Sequence, residues 1–168
     1  MTHAKDHFAK WLSDAHALEL QSIALLKSQI ARIENYPDLR EKMIEHLANS
    51  EGHEKALRGL MERFPGAQSL IKDVAGRLSA TAQGLTGAFS ADEIVRTCMN
   101  AYVFAHEEVA RYKVLLAAAD ELGDSTAVAV CERILSEEKA MADWLELYLD
   151  GVTRLYLMRD ERDLLAKR

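Results

Sequence analysis

The 168-residue sequence has few of the residues that interrupt helices. It contains two prolines and eight glycines, and only 7% of its residues are aromatic. This composition argues against a loop-rich β fold and against long disordered stretches. Two cysteines are too few for a disulfide scaffold or for a zinc site built from thiolates. The sequence therefore favours an all-α protein.

Long apolar runs and an excess of positive charge are also missing. Residues 1–6 carry no apolar segment of the signal-peptide kind, and no stretch reaches the roughly 18 apolar residues of a spanning helix. Lysine and arginine number 21 against 27 acidic residues, so the net charge is −6. An acidic surface is a poor match for phosphate backbones. We therefore predict a cytoplasmic protein that binds neither nucleic acid nor membranes.

Apolar residues instead recur at three- and four-residue spacing, which predicts long helices over about residues 3–35, 37–64, 90–122 and from 125 onwards. Ser90–Glu93 fits a capping box at the start of the third helix. Gly123–Ser125 fits a helix end followed by a new N-cap. The charged segment Arg159–Arg168 is interpreted as a solvated helical end.

The lengths of the connections predict the topology. Short links join helices one and two, and three and four, which makes each pair antiparallel. The link between Phe64 and Phe89 is long enough to cross the bundle. We therefore predict a single domain, residues 1–168, with an all-α, ferritin-like four-helix bundle, one long crossover and a C-terminal helical extension. The crossover is predicted to carry a short helix at Leu70, Ile71, Val74 and Leu78.

Each predicted helix places one ionisable residue on its apolar stripe: Glu19, His53, Glu108 and Glu138. In an antiparallel hairpin, residues equidistant from the turn lie side by side. A first turn centred on Tyr36 puts Glu19 beside His53, and the second turn puts Glu108 beside Glu138. The four side chains are therefore expected to meet in the middle of the bundle.

Two interpretations of this polar layer remain open. Unpaired carboxylates in an apolar core are costly, and a bound cation would offset that cost. Carboxylate and imidazole ligands suit iron, manganese or zinc. Alternatively, salt bridges, protonation or hydrogen bonds hold the carboxylates, the metal site is empty, and the bundle is a non-enzymatic structural or interaction protein.

Four sequence segments carry a family resemblance. They are Trp11–Asp14 leading to Glu19, His46–Leu47 leading to Glu51–His53 and Leu57, His106–Glu108 leading to Tyr112, and Ser136–Ala140. In order and spacing they resemble the ferritin-like YciE/YciF stress-protein family over nearly the whole chain. The resemblance implies two metal ions, held by a Glu from each of two helices and a Glu-x-x-His motif from each of the others. It also implies redox chemistry at iron or manganese, such as peroxide consumption or iron handling.

The sequence departs from that pattern at three positions. Ser50 stands where the motif of His53 requires Glu, and Met141 stands where the motif of Glu138 requires His. Ala105 replaces a carboxylate that is common in the resembling family. One metal ion, an unequal pair or an empty site therefore all remain open. Further expectations concern single residues: His46 and Asn49 as accessory groups, Glu51 on a flank, His16 facing solvent, and buried Cys98 and Cys131 too far apart for a disulfide.

The chain also has more apolar residues than one bundle core requires. They lie off the core stripe of the first helix and near the end of the fourth: Leu20, Ile23, Leu25, Val152, Leu155, Tyr156 and Leu157. Exposed apolar patches usually mark an interface, and two-fold symmetry is its commonest form. We therefore expect a homodimer or a larger homo-oligomer. The alternative is that other parts of the same chain cover these residues.

Overall fold

A computed structural model describes residues 2–64 and 90–167 as an all-α bundle, which confirms the predicted fold class. Its four helices are α1 (Thr2–Ile30), α2 (Pro37–Met61), α3 (Glu93–Glu121) and α4 (Ser125–Glu161). The short crossover helix predicted around Leu70 to Leu78 lies outside the described residues. None of these four helices is both long and apolar enough to cross a membrane.

The helices pack as two neighbouring hairpins. α1 packs on α2 and α3 packs on α4, while α1 also contacts α3 and α2 contacts α4. Helices α2 and α3 lie diagonally across the bundle and run in the same direction, as the long crossover predicted. All four helices therefore present side chains to one central axis.

The apolar core is divided into two clusters along that axis. The cluster at one end contains Phe8, Leu12, Leu57, Leu115 and Ile134 among its fully buried residues. The cluster at the other end contains Tyr36, Leu39, Met43, Ile94 and Leu145. A layer of buried polar side chains separates them, so the ionisable residues lie in the middle of the bundle and not near its ends.

The α3–α4 turn follows the sequence prediction. Gly123 has a φ of 65°, a conformation that glycine adopts readily and that ends α3. Asp124 is the N-cap of α4, and its Oδ1 accepts a hydrogen bond from the Ala127 amide at 3.0 Å. This tight turn fixes the register of α3 against α4.

Helix α3 begins two residues later than the predicted capping box, in which Ser90 is the N-cap. Asp92 is the N-cap residue and makes no side-chain capping bond. The Glu93 carboxylate instead accepts a hydrogen bond from Arg32 Nε at 2.6 Å and lies 3.7 Å from Lys167 Nζ. A charge-assisted bond to a guanidinium is stronger than a return bond to a backbone amide, so the ion pair takes the carboxylate.

The predicted solvated helical end is only partly correct, because residues 160–165 are exposed but residues 162–167 are not helical. Helix α4 ends at Glu161, and the chain then turns back onto the bundle. Tyr36 Oη donates to the Ala166 carbonyl at 2.5 Å, and the Ile94 amide donates to the Lys167 carbonyl at 3.1 Å. The tail therefore satisfies polar groups at the starts of α2 and α3, and Ala166 is buried there.

The same end of the chain covers part of the expected apolar surface. Val152 was expected off the core but is fully buried within it, and Leu155 and Tyr156 pack against the same cluster. Leu20 and Leu157 remain exposed, at 41% and 52% of their surface. Intrachain packing thus accounts for several of the residues assigned to an interface, though not for these two.

Candidate metal centre

The structure brings the four predicted side chains together between the two apolar clusters. His53 Nδ1 lies 3.2 Å from Glu19 Oε1 and 3.3 Å from Glu138 Oε1, and all three residues are completely buried. Their ligand atoms lie within 4.8 Å of one another. These three residues form what we call triad A, which joins α1, α2 and α4.

A second group of ligand atoms lies on the other side of Glu138. His46, Glu108 and Glu138 also offer atoms within 4.8 Å of one another, and we call this set triad B. Glu138 Oε2 is 3.8 Å from His46 Nε2, whereas its Oε1 is the oxygen near His53. The two oxygens of one carboxylate thus face the two triads, as a bridging ligand would require.

The sequence predicted His46 only as an accessory group. Its imidazole is buried in triad B. The 3.8 Å between His46 Nε2 and Glu138 Oε2 is short enough for both atoms to bind one cation. The signal was present in the spacing, because His46 and His53 are seven residues apart and so lie on one face of α2. Counting one ionisable residue per helix overlooked this second one.

Several carboxylate oxygens in the layer make no hydrogen bond within the described residues. They are Glu19 Oε2 and both oxygens of Glu108 and Glu138. Buried polar atoms are normally paired, since leaving one unpaired costs on the order of 1–3 kcal/mol and more for a charged group. Five such atoms around two imidazoles form a donor set that fits a divalent cation.

The protonation states of this layer in the metal-free chain follow from burial and repulsion. Burial raises the pKa of Glu108 well above its ordinary value, and the charges of Glu138 and Glu19 raise it further. Burial also opposes ionisation of Glu138, but its close contacts with the imidazoles of His53 and His46 outweigh that effect and lower its pKa. Burial and repulsion therefore favour the protonated form of Glu108, while the neighbouring imidazoles favour the ionised form of Glu138.

The two histidines differ in the same way. Burial opposes a charge on His53, but its close contacts with the carboxylates of Glu138, Glu19 and Glu137 outweigh it and raise the pKa of His53 to about 10. For His46 the cost of burial dominates, and its pKa is lowered. A single imidazolium, that of His53, therefore occupies the centre of the metal-free layer.

Two further residues support the ligand set, and the sequence did not identify either of them. Tyr112 Oη donates to Glu19 Oε1 at 2.6 Å, and Glu137 Oε2 lies 2.6 Å from His53 Nε2. Such outer partners fix the orientation of metal ligands. The signal for Tyr112 was its position four residues after Glu108, which places both on one face of α3.

The positions that depart from the family pattern are all part of the core. Ser50 is completely buried, and its Oγ has no hydrogen-bond partner among the residues described. Met141 and Ala105 are buried in the apolar cluster at the Tyr36 end of the bundle. The layer thus contains three buried glutamates and two histidines in place of a complete set of two Glu-x-x-His motifs.

The sequence also made predictions about single residues outside the metal centre. Glu51 lies on a flank, as expected, and pairs with Lys27 at 2.9 Å. Cys98 and Cys131 are buried free thiols, and burial raises their pKa values to about 12 and about 11. The solvent-facing position expected for His16 is wrong.

His16 is 6% exposed, and its Nε2 lies 2.9 Å from Glu54 Oε1 in the seam between α1 and α2. The expectation failed because α1 packs against two helices, α2 and α3. Its buried arc is therefore wider than the single stripe used in the sequence analysis.

A four-helix bundle with carboxylates and imidazoles buried at mid-height defines the ferritin-like class of helical proteins. The chain belongs to the family described as Domain of unknown function (DUF892), a ferritin-like family whose model matches residues 3–158. It is also similar to a crystal structure of a protein from Xanthomonas campestris pv. campestris. The two chains are 25% identical, with a TM-score of 0.79 over 95% of this chain and 99% of that one.

Proposed function

We propose that this chain is a metal-binding ferritin-like protein of the YciE/YciF stress-response type, with one or two iron or manganese ions held by Glu19, His46, His53, Glu108 and Glu138. The observation that carries the proposal is the shared carboxylate: Glu138 belongs to two buried triads, one on each of its oxygens. Zinc fits the same donor types.

The donor set supports the proposal on chemical grounds. The layer contains carboxylate oxygens from three glutamates and imidazole nitrogens from two histidines, and all five residues are buried. Five carboxylate oxygens lack a hydrogen bond within the described part of the chain. A divalent cation would satisfy these atoms and remove the repulsion between neighbouring carboxylates.

A redox-active ion at this position would supply electron transfer to a small oxidant such as a peroxide. The chain's own residues contribute orientation and insulation. Tyr112 holds the Glu19 carboxylate and Glu137 holds the His53 ring. The apolar clusters above and below exclude water, which strengthens each electrostatic interaction in the layer.

A second candidate function rests on the pairing of His53. Its ring contacts carboxylates of Glu19, Glu138 and Glu137 at 3.2, 3.3 and 2.6 Å, so an imidazolium satisfies part of the layer without any metal. In that case the layer is structural, and the protein acts through association with other molecules.

Metal content distinguishes the two candidates. The protein is purified without a His tag, treated with chelator, and titrated with Fe²⁺ and Mn²⁺ under nitrogen. Glu138→Ala is compared with Glu132→Ala, which changes an exposed glutamate of the same helix. We expect Glu138→Ala alone to abolish tight binding while leaving helix content unchanged, because removing a buried carboxylate is often tolerated. Equal stoichiometry in both variants would refute the ligand role.

A further inference from the structure

A cavity of about 130 Å³ lies between α1 and α3, beside the polar layer. Its inner wall is formed by Met43 and His46 of α2 and by Met141 of α4. His46 also belongs to triad B. The imidazole therefore separates the cavity from the carboxylates, and a molecule in the cavity would lie against the candidate metal centre.

The two ends of the cavity differ in polarity. The outer end carries the cationic side chains of Arg32, Arg96 and Lys167, which are 32%, 55% and 40% exposed. Glu93, which contacts both Arg32 and Lys167, is the single carboxylate among the described lining residues. Asp92, just outside the lining, pairs with Arg96 at 2.8 Å, so three cations face two carboxylates. The outer end therefore keeps a net positive charge, which attracts anions.

Further in, the lining becomes apolar. Gln29 and Thr97 lie about one helical turn inside Arg32 and Glu93 and extend the polar end. Beyond them the walls are mainly aliphatic and aromatic: Leu25, Leu26, Ala101, Phe104, Ala105 and Met141. This end favours a hydrocarbon group over a charged one.

The size and shape of the cavity limit the ligand. Its lining on α3 extends from Glu93 to Ala105, a rise of about 18 Å at 1.5 Å per residue. At roughly 10–15 Å³ for each water-sized probe, the volume holds on the order of ten non-hydrogen atoms. A linear molecule with one anionic end matches both the length and the polarity.

We propose that this cavity binds an amphiphilic monocarboxylate of medium chain length, with its carboxylate at Arg32 and Lys167 and its hydrocarbon end against His46. Such a ligand would be presented to the metal centre through its apolar end. Presentation of the ligand to the metal centre rests on the proposed metal function, whereas binding in the cavity does not.

The first experiment measures octanoate binding to the chelator-treated full-length protein by calorimetry. Octanol and octylamine test the selection of the anionic end, and we expect both to bind at least tenfold more weakly. Ala101→Leu fills the cavity and should weaken octanoate binding at least tenfold. Ala110→Leu makes the same change at an exposed position of α3 and should leave it unchanged.

A second variant keeps the test valid if Ala101→Leu folds poorly. Lys167→Ala removes one exposed cation, while the backbone carbonyl that accepts from Ile94 remains. We expect it to weaken octanoate binding at least threefold and to leave octanol binding unchanged. No octanoate binding, equal binding of octylamine, or full affinity in Ala101→Leu would each overturn the proposal.

The link to the metal centre has its own measurement. In protein loaded with Mn²⁺, the terminal methyl protons of octanoate should relax faster than the protons beside its carboxylate. The reverse order would overturn the proposed orientation. Octanoate binding by a chain that takes up no Mn²⁺ would support the cavity site and refute the proposed function. Mn²⁺ uptake without octanoate binding would refute the cavity site alone.

Discussion

The imidazole of His53 and the carboxylate of Glu138 meet with Nδ1 and Oε1 3.3 Å apart, at a point where neither side chain is exposed to solvent. Both residues are on the axis of the bundle, on helices α2 and α4 from different hairpins. The second oxygen of the carboxylate is left for His46. Glu138 is therefore the residue through which the two candidate triads are joined.

Restoring the two missing motif residues should increase the number of bound ions. Ser50→Glu places a glutamate three residues before His53, and Met141→His places a histidine three residues after Glu138. We expect the double variant to bind two Mn²⁺ ions per chain with higher affinity than the native chain, because each motif would then be complete. The stoichiometry is measured by elemental analysis after gel filtration.

The control for this experiment is Ser50→Gln with Met141→Gln, which adds similar volume without the required ligands. Both double variants should be less stable than the native chain when metal is absent, since they add polar groups to a packed core. If the two double variants bind the same amount of metal as each other, the assignment of these positions is wrong.

Metal binding should release protons. In the metal-free chain the pKa of the Glu108 carboxyl is raised well above its ordinary value and that of the His53 imidazole is raised to about 10, so both shifts favour the protonated form. A metal ligand must be deprotonated, so affinity should rise with pH, by up to about a hundredfold per pH unit if both protons leave. Calorimetry in buffers of different ionisation enthalpy counts the protons, and a count of zero would contradict this account of the layer.

Removing the hydroxyl of Tyr112 should loosen one ligand. Tyr112→Phe eliminates the bond to Glu19 Oε1, and the loss of such an outer partner typically weakens metal affinity about 10–100-fold. Tyr102→Phe, at a partly buried position of the same helix, is the matched control and should bind metal normally. Equal metal affinities in the two variants would show that Tyr112 has no part in orienting Glu19.

The homodimer expected from the sequence remains a prediction. Leu20 and Leu157 are exposed, at 41% and 52%, and a two-fold contact would cover such residues. Light scattering at micromolar concentration should give about twice the chain mass of 18.8 kDa, and Leu20→Lys should shift the mass towards one chain. A native mass near that of a single chain would end this prediction.

The fold and the positions of the ligand candidates follow from local sequence patterns. Helical spacing places Glu19, His53 and Glu138 on inward stripes, and short turns make their axial levels easy to calculate. The calculation holds because the loops centred near Tyr36 and Gly123 are too short to allow a shift in register. These features depend on residues close in sequence, which is why one sequence suffices to predict them.

Long-range contacts could not be predicted in the same way. The hydrogen bond from Tyr36 to Ala166 joins residues 130 positions apart, and the hydrogen bond from Arg32 to Glu93 joins residues 61 positions apart. Periodicity cannot identify such partners. Nor can it tell that Tyr112 points its hydroxyl at Glu19, because a tyrosine on an apolar stripe is as readily a core residue as a hydrogen-bond donor.

The most direct test of the central claim is anomalous scattering from crystals grown with Mn²⁺, recorded on both sides of the manganese absorption edge. We expect an anomalous peak among Glu19, His53 and Glu138, at roughly 2.0–2.2 Å from a carboxylate oxygen of Glu138. A second, weaker peak is expected beside His46 and Glu108. If crystals grown in excess Mn²⁺ show no anomalous peak in this layer, the claim that Glu138 is a metal ligand is contradicted.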